Sequence, residues 1–133
     1  MKKKYLLLLV AAMCSISSYA QKKNYKVACI GFYNLENLFD TINQPEVNDE
    51  EFTPAGANHY TPEVYKDKLI KLETVIADMG KEMNDDGVTL LGVAEIENIT
   101  VLQDLIQQPS LKNRKWQIVH YDSPDERGID VGC

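Results

Sequence analysis

Val88-Thr89-Leu90-Leu91-Gly92-Val93-Ala94 is a continuous, mostly apolar run that ends abruptly in Glu95. Runs of this kind fit a central strand covered on both faces. A chain holding such a strand must supply a layer above it and a layer below it. This one segment therefore points to a layered α/β sheet.

The neighbouring segments supply the other elements. Tyr25 to Tyr33 is rich in β-formers and reads as a strand. From Asn34 to Ala57 the chain is polar, with Asp, Asn, Pro and Gly, and reads as a loop. A loop this long inside a compact domain is usually functional or mobile. Thr61-Pro62-Glu63 is a helix start: Thr61 caps, Pro62 suits the first helical position, and Glu63 sits at the positive end of the dipole. Tyr65, Leu69, Leu72, Val75, Ile76 and Met79 recur on one face, and Gly80 closes the helix. Lys66, Lys68, Lys71 and Glu73 are expected on a solvated face. Thr100 to Gln107 reads as a second helix, stopped before Pro109. Trp116 to Tyr121 alternates as a third strand, Asp122-Ser123-Pro124-Asp125 is a turn, and Gly128 to Val131 begins a fourth strand. On this reading the fourth strand has nothing after it to pair with or pack on. No internal repeat, linker or low-complexity tract interrupts the order.

With 133 residues, 44% hydrophobic and 26% charged, the chain suits one ordinary globular domain rather than a disordered segment. Its formal charge of -6 gives no long-range attraction to nucleic acid. A phosphate-bearing substrate would need a local device, such as a bound cation or a placed Arg.

The first twenty residues read as a secretory signal peptide. Lys2, Lys3 and Lys4 form a positive n-region, Tyr5 to Met13 an apolar h-region, and Ser18-Tyr19-Ala20 a cleavage site before Gln21. This implies export to the periplasm or the extracellular space. Cys14 offers a rival reading as a lipoprotein acylation site, but Met13 before it is bulkier than that processing accepts. Cleavage after Ala20 removes Cys14 and the three lysines and takes the charge from -6 to -9. Cys29 and Cys133 remain. Cys29 lies in an apolar strand and reads as a small buried hydrophobe. No cysteine spacing resembles a zinc site.

Three segments could carry chemistry. In Phe32 to Asp40, polar residues appear where the first strand ends, which is where α/β sheets bind ligands. Asn34 and Glu36 are two apart, so both are expected on one side. An amide oxygen and a carboxylate are hard ligands suited to Mg²⁺ or Mn²⁺. The alternative is that Asn34 and Asn37 simply organise a turn. Glu95 closes the apolar run, and a carboxylate there is costly unless paired or bound to a cation. It reads either as a metal ligand or as an N-terminal carboxylate of the next helix, a role that Glu97 also fits. In Asp125 to Asp130, Arg127 has the fork to hold a phosphate oxygen, or it pairs on the surface with Asp125 or Glu126. Asp130 is expected to have a structural partner. His59 lies in a loop and His120 in a strand, and neither has a catalytic motif around it.

These segments together resemble the endonuclease/exonuclease/phosphatase, or DNase-I-like, family from about Lys26 to Val131. Gly31-Phe32-Tyr33-Asn34-Leu35-Glu36-Asn37-Leu38-Phe39-Asp40 is similar to its opening strand motif, whose Asn contacts the metal site. Leu91-Gly92-Val93-Ala94-Glu95-Ile96-Glu97-Asn98 is similar to the second motif, whose Glu is the metal ligand. Tyr121 to Val131 is similar to the segment that enters the next strand in exported bacterial members. The resemblance implies a four-layer α/β sandwich, with two sheets between helices, and hydrolysis of phosphodiesters or phosphomonoesters with Mg²⁺ or Mn²⁺. It implies that Asn34 contacts the metal site, that Glu95 is its ligand, and that the substrate is a nucleic acid, a phospholipid or a small phosphate ester. With the residue readings above, the metal set is Asn34, Glu36 and Glu95, and Glu95 and Arg127 are the catalytic candidates. The catalytic His and the Asp/Asn pair of that family have no counterpart here. The expectation is therefore that residues 21–133 are an incomplete N-terminal part of such a domain, inactive alone. A non-catalytic exported remnant and a small binding module are the competing readings.

Overall fold

The computed structural model describes residues 25–133. The signal-peptide reading of residues 1–20, Cys14 included, lies outside them. Four strands form one mixed sheet: β1 (Cys29–Leu38), β2 (Val88–Ile96), β3 (His120–Tyr121) and β4 (Asp130–Gly132). Two helices accompany it, α1 (Pro62–Asp78) and α2 (Ile99–Ile106). This is the α/β class that the apolar run implies.

Helix α1 forms as its ends dictate. Thr61 Oγ1 accepts from Val64 N, and proline sits at the first turn. After Met79, Gly80 turns the chain back at φ +79°. A Cβ there would lie 2.6 Å from Cys29 Sγ, so glycine is required by both torsion and space. The buried stripe is Leu69, Leu72, Ile76 and Ala77, whereas Val75 is exposed. Glu73 corrects the expectation of a solvated face: it is buried and accepts a hydrogen bond from Ser110 N, so this carboxylate ties α1 to the segment after α2. Asn98 caps α2, accepting from Thr100 N and Val101 N at 2.8 and 3.2 Å.

β1 and β2 are parallel, with α1 as the crossover, and Asn34 lies opposite Ala94. β1 begins at Cys29 rather than Tyr25 and runs on to Leu38, through residues that read as loop. The rest of the loop is held down by a 3-10 turn (Glu50–Phe52) and by aromatic packing. Phe39 stacks on Phe52 with centroids 4.1 Å apart, and Tyr60 meets Phe52 edge-on at 5.9 Å.

The sheet order is β1-β2-β4-β3. This corrects the expectation that the fourth strand lacks a partner. β4 inserts between β2 and β3 and pairs antiparallel with both. The third strand is shorter than Trp116 to Tyr121, although Val119 still exchanges two backbone hydrogen bonds with Cys133.

The helices cover one face of the sheet only. Leu35, Leu91, Val93 and Ile96 point into a core with Leu69, Leu72, Ile76, Val101, Leu102 and Leu105. On the opposite face Ile30, Phe32, Leu90, Val131 and Tyr121 lie open, with Phe32 70% and Leu90 48% exposed. The apolar run is thus covered on one side among the described residues, not on both. Among the described residues, one helical layer and one sheet are present of the four layers that the resemblance implies. No helix among the described residues is long and apolar enough to cross a membrane.

Candidate active site

Parallel pairing brings the carboxyl ends of β1 and β2 side by side, and both polar strand ends therefore meet. Asn34 Nδ2 donates to Glu95 Oε1 at 2.8 Å, across sixty-one positions of sequence. Asn34 Oδ1 accepts from Glu36 N at 2.7 Å. The amide therefore orients the Glu95 carboxylate with one end and shapes its own strand end with the other.

The backbone here is unusual. Glu36, Asn37 and Glu95 all have positive φ, at 53°, 59° and 59°. Such angles cost a non-glycine residue roughly 1 kcal/mol or more each, and they persist only where the surroundings impose them. On β1, the three residues between Asn34 and Leu38 stand against the single residue, Glu95, between Ala94 and Ile96 on β2. The simple alternation that would place Asn34 and Glu36 on one side is broken by this bulge. Glu36 meets Asn34 through its backbone N–H, and its carboxylate has no hydrogen-bond or ion-pair partner among the described residues.

Lys68 of α1 holds the bend in place. Its Nζ donates to Asn37 O at 2.9 Å and also to Glu36 O. Burial pulls the Lys68 ammonium below its ordinary value, while the Glu36 and Glu95 carboxylates push it back up. The helical periodicity left Lys68 on the solvated face. A signal was nonetheless present, because Lys68 is three residues after Tyr65 and four before Leu72, on the flank of the buried stripe.

Glu97 does not serve as the helix cap. It is 4% exposed and accepts from Asp40 N at 2.6 Å and from Gln44 Nε2 at 3.0 Å. Burial pushes its carboxyl up to about 7, assisted by Asp40 and Asp49 and opposed by the two hydrogen bonds. It clasps the loop after β1 to the end of β2. Tyr60, behind that loop, is pushed up to about 12 by burial and by the nearby Glu97 and Asp40 carboxylates.

Arg127 lies at the rim. Its Nε and Nη2 donate to Asp125 Oδ1 and Oδ2 at 3.0 and 2.7 Å. That pair holds the Asp125 carboxyl down at about 2 and raises the guanidinium further, with Glu95 close enough to add its own field. The structure thus brings together Asn34, Glu36, Glu95 and Lys68, with Arg127 near by. His59 is exposed on its loop at φ 47° and takes no part.

The sequence profile of the endonuclease/exonuclease/phosphatase family matches residues 29–133. Comparison with curated proteins and with solved structures returns no match. The matched span contains both polar strand ends and all four strands, and the chain belongs to the endonuclease/exonuclease/phosphatase family of hydrolases.

Proposed function

We propose that this chain carries the metal-binding part of a divalent-cation-dependent hydrolase of phosphodiesters or phosphomonoesters, and that these residues alone bind the cation without turning substrate over. The observation that carries the reading is the Asn34–Glu95 contact at the carboxyl ends of two parallel strands. The donor set fits a hard divalent ion. One Glu95 oxygen is oriented by Asn34, and its other oxygen has no protein partner among the described residues. Asn34 Oδ1 keeps a second lone pair, and Glu36 adds a carboxylate. Glu95, Asn34 and Glu36 would hold Mg²⁺ or Mn²⁺, which supplies Lewis acidity at a phosphoryl oxygen.

The chain's own residues do the positioning. Asn34 keeps Glu95 in one rotamer. Lys68 fixes the left-handed bend and adds positive charge beneath it. Arg127 is held charged by Asp125 and can exchange that carboxylate for a phosphate oxygen of similar geometry. His120 pairs with Asp130 through Nε2, and no hydrogen bond or ion pair among the described residues joins either histidine to Glu95. This supports binding without turnover. The n-region, h-region and Ala20 of residues 1–20 support export, which sequencing the secreted chain tests: it should begin at Gln21.

The experiment is Mn²⁺ titration followed by electron paramagnetic resonance, on the chain and its Glu95→Ala variant, beside hydrolysis of bis-p-nitrophenyl phosphate and plasmid DNA. Binding that weakens at least about tenfold in the variant, with no hydrolysis by either, is the expected result. Equal Mn²⁺ binding in both would overturn the metal assignment. Hydrolysis that disappears in Glu95→Ala would overturn the claim of inactivity and identify Glu95 as catalytic.

A further inference from the structure

On the helix-covered face of the sheet, next to β2, lies a second group of ligating side chains. His120 of β3 stands beside Asp130 of β4, with Nε2 2.8 Å from Asp130 Oδ2. Asp130 is 5% exposed, and its Oδ1 accepts from Ser123 N at 2.7 Å. A carboxylate only accepts, so Nε2 carries a proton, and the neutral tautomer with that proton presents a lone pair at Nδ1. Asp122 Oδ1 faces that nitrogen at 3.9 Å. Two acceptors therefore look at each other across a gap too long for a hydrogen bond.

We propose that His120 Nδ1 and Asp122 bind a divalent transition-metal ion of the Zn²⁺ class, with Asp130 as the positioning residue. Bonds of about 2.0–2.2 Å at tetrahedral angles put nitrogen and oxygen roughly 3.4 Å apart, so the exposed Asp122 need turn only slightly to close the 3.9 Å gap onto one ion. The ligating atoms of His120, Asp122 and Asp130 all lie within 4.8 Å of one another. The His120 and Asp130 side chains are 8% and 6% exposed, and Nδ1 has no hydrogen-bond partner among the described residues. A ligating imidazole that gives its other N–H to a buried carboxylate is the arrangement that fixes tautomer and ring direction at metal sites. Asp122 is 95% exposed, so water completes the coordination from outside. Imidazole nitrogen favours Zn²⁺, Co²⁺ or Ni²⁺ over Mg²⁺, which separates this site from the oxygen-only set at Glu95. The ion would staple the turn that begins at Asp122 to the β3–β4 pair.

The test is Zn²⁺ titration of the chain, read by calorimetry and by the ring ¹⁵N resonances of His120, with Asp122→Asn and Glu95→Ala as variants. Asp122 is on the surface, so its replacement leaves the fold intact. The expected result is a Zn²⁺-dependent shift of the Nδ1 resonance, binding weakened at least about tenfold by Asp122→Asn, and no effect of Glu95→Ala on it. Zn²⁺ binding unchanged by Asp122→Asn, or abolished by Glu95→Ala, overturns the proposal. So does an Nδ1 resonance that shows a bound proton which Zn²⁺ fails to displace.

Discussion

Replacing Glu97 by Gln should remove a pH dependence of stability that the native chain carries. Glu97 is buried beneath the loop that it clasps, and its carboxyl sits at about 7 in the folded state against an ordinary 4.5. Between those values the folded chain holds a proton that the unfolded chain releases. Stability from this group is therefore complete below about pH 4.5, falls as the pH rises, and is lost above about 7. The interval from 4.5 to about 7, at ~1.4 kcal/mol per pH unit, sets a ceiling of about 3 kcal/mol. Asp40 N and Gln44 Nε2 both keep their bonds to the ionised form, and a loop that opens to water relieves part of the penalty. The realised loss is then about 1–2 kcal/mol. The glutamine has the same shape and no proton to lose. Urea unfolding of both proteins, from about pH 5 to about pH 8 without divalent ions, measures the difference. The native chain should lose about 1–2 kcal/mol more than Glu97→Gln across that range. Parallel stability curves for the two would refute the reasoning, because the clasp would then be insensitive to charge.

Three further outcomes follow from the site and its supports. Lys68→Met leaves the Glu36 and Asn37 carbonyls without their donor, so it should cost about 1–3 kcal/mol in urea unfolding and weaken Mn²⁺ binding as the bend loosens. Gly80→Ala forces a side chain into φ +79° against Cys29 and should cost about 1–3 kcal/mol, seen as a lowered thermal midpoint. Arg127→Ala should leave that midpoint unchanged, because the Asp125 pair is on the surface, while weakening inorganic phosphate binding measured by NMR titration at saturating Mg²⁺.

Much of the fold was legible in short stretches. The Thr61-Pro62 start and the Gly80 stop of α1 rest on local chemistry, and both are found where that chemistry puts them. Asn34 and Glu95 were each legible as polar residues closing an apolar strand, and the family resemblance set both at one metal site. What stayed hidden depends on partners distant in sequence. Lys68 and Glu73 look like surface charges until the acceptor carbonyls of the bend and the Ser110 N–H are in place. The position of β4 between β2 and β3 reverses the order of the last two strands in the sheet relative to the chain, which no local pattern encodes. The positive φ of Asn37 fits the turn that Asn favours, but that of Glu36 and Glu95 was invisible, because no turn preference places glutamate there.

The parallel pairing of β1 with β2 has a kinetic consequence. Asn34 and Glu95 are sixty-one residues apart, and α1 lies between them. Closing a loop of that size must be completed before either strand end gains its partner, and such non-local pairing is slow. While the chain is being synthesised, the first half of the site waits for β2 to emerge. Cation capture at Glu95 should accordingly appear late in refolding, together with the last gain in native sheet, so that a stopped-flow Mn²⁺ signal would serve as a clock for closure of the β1–β2 pair.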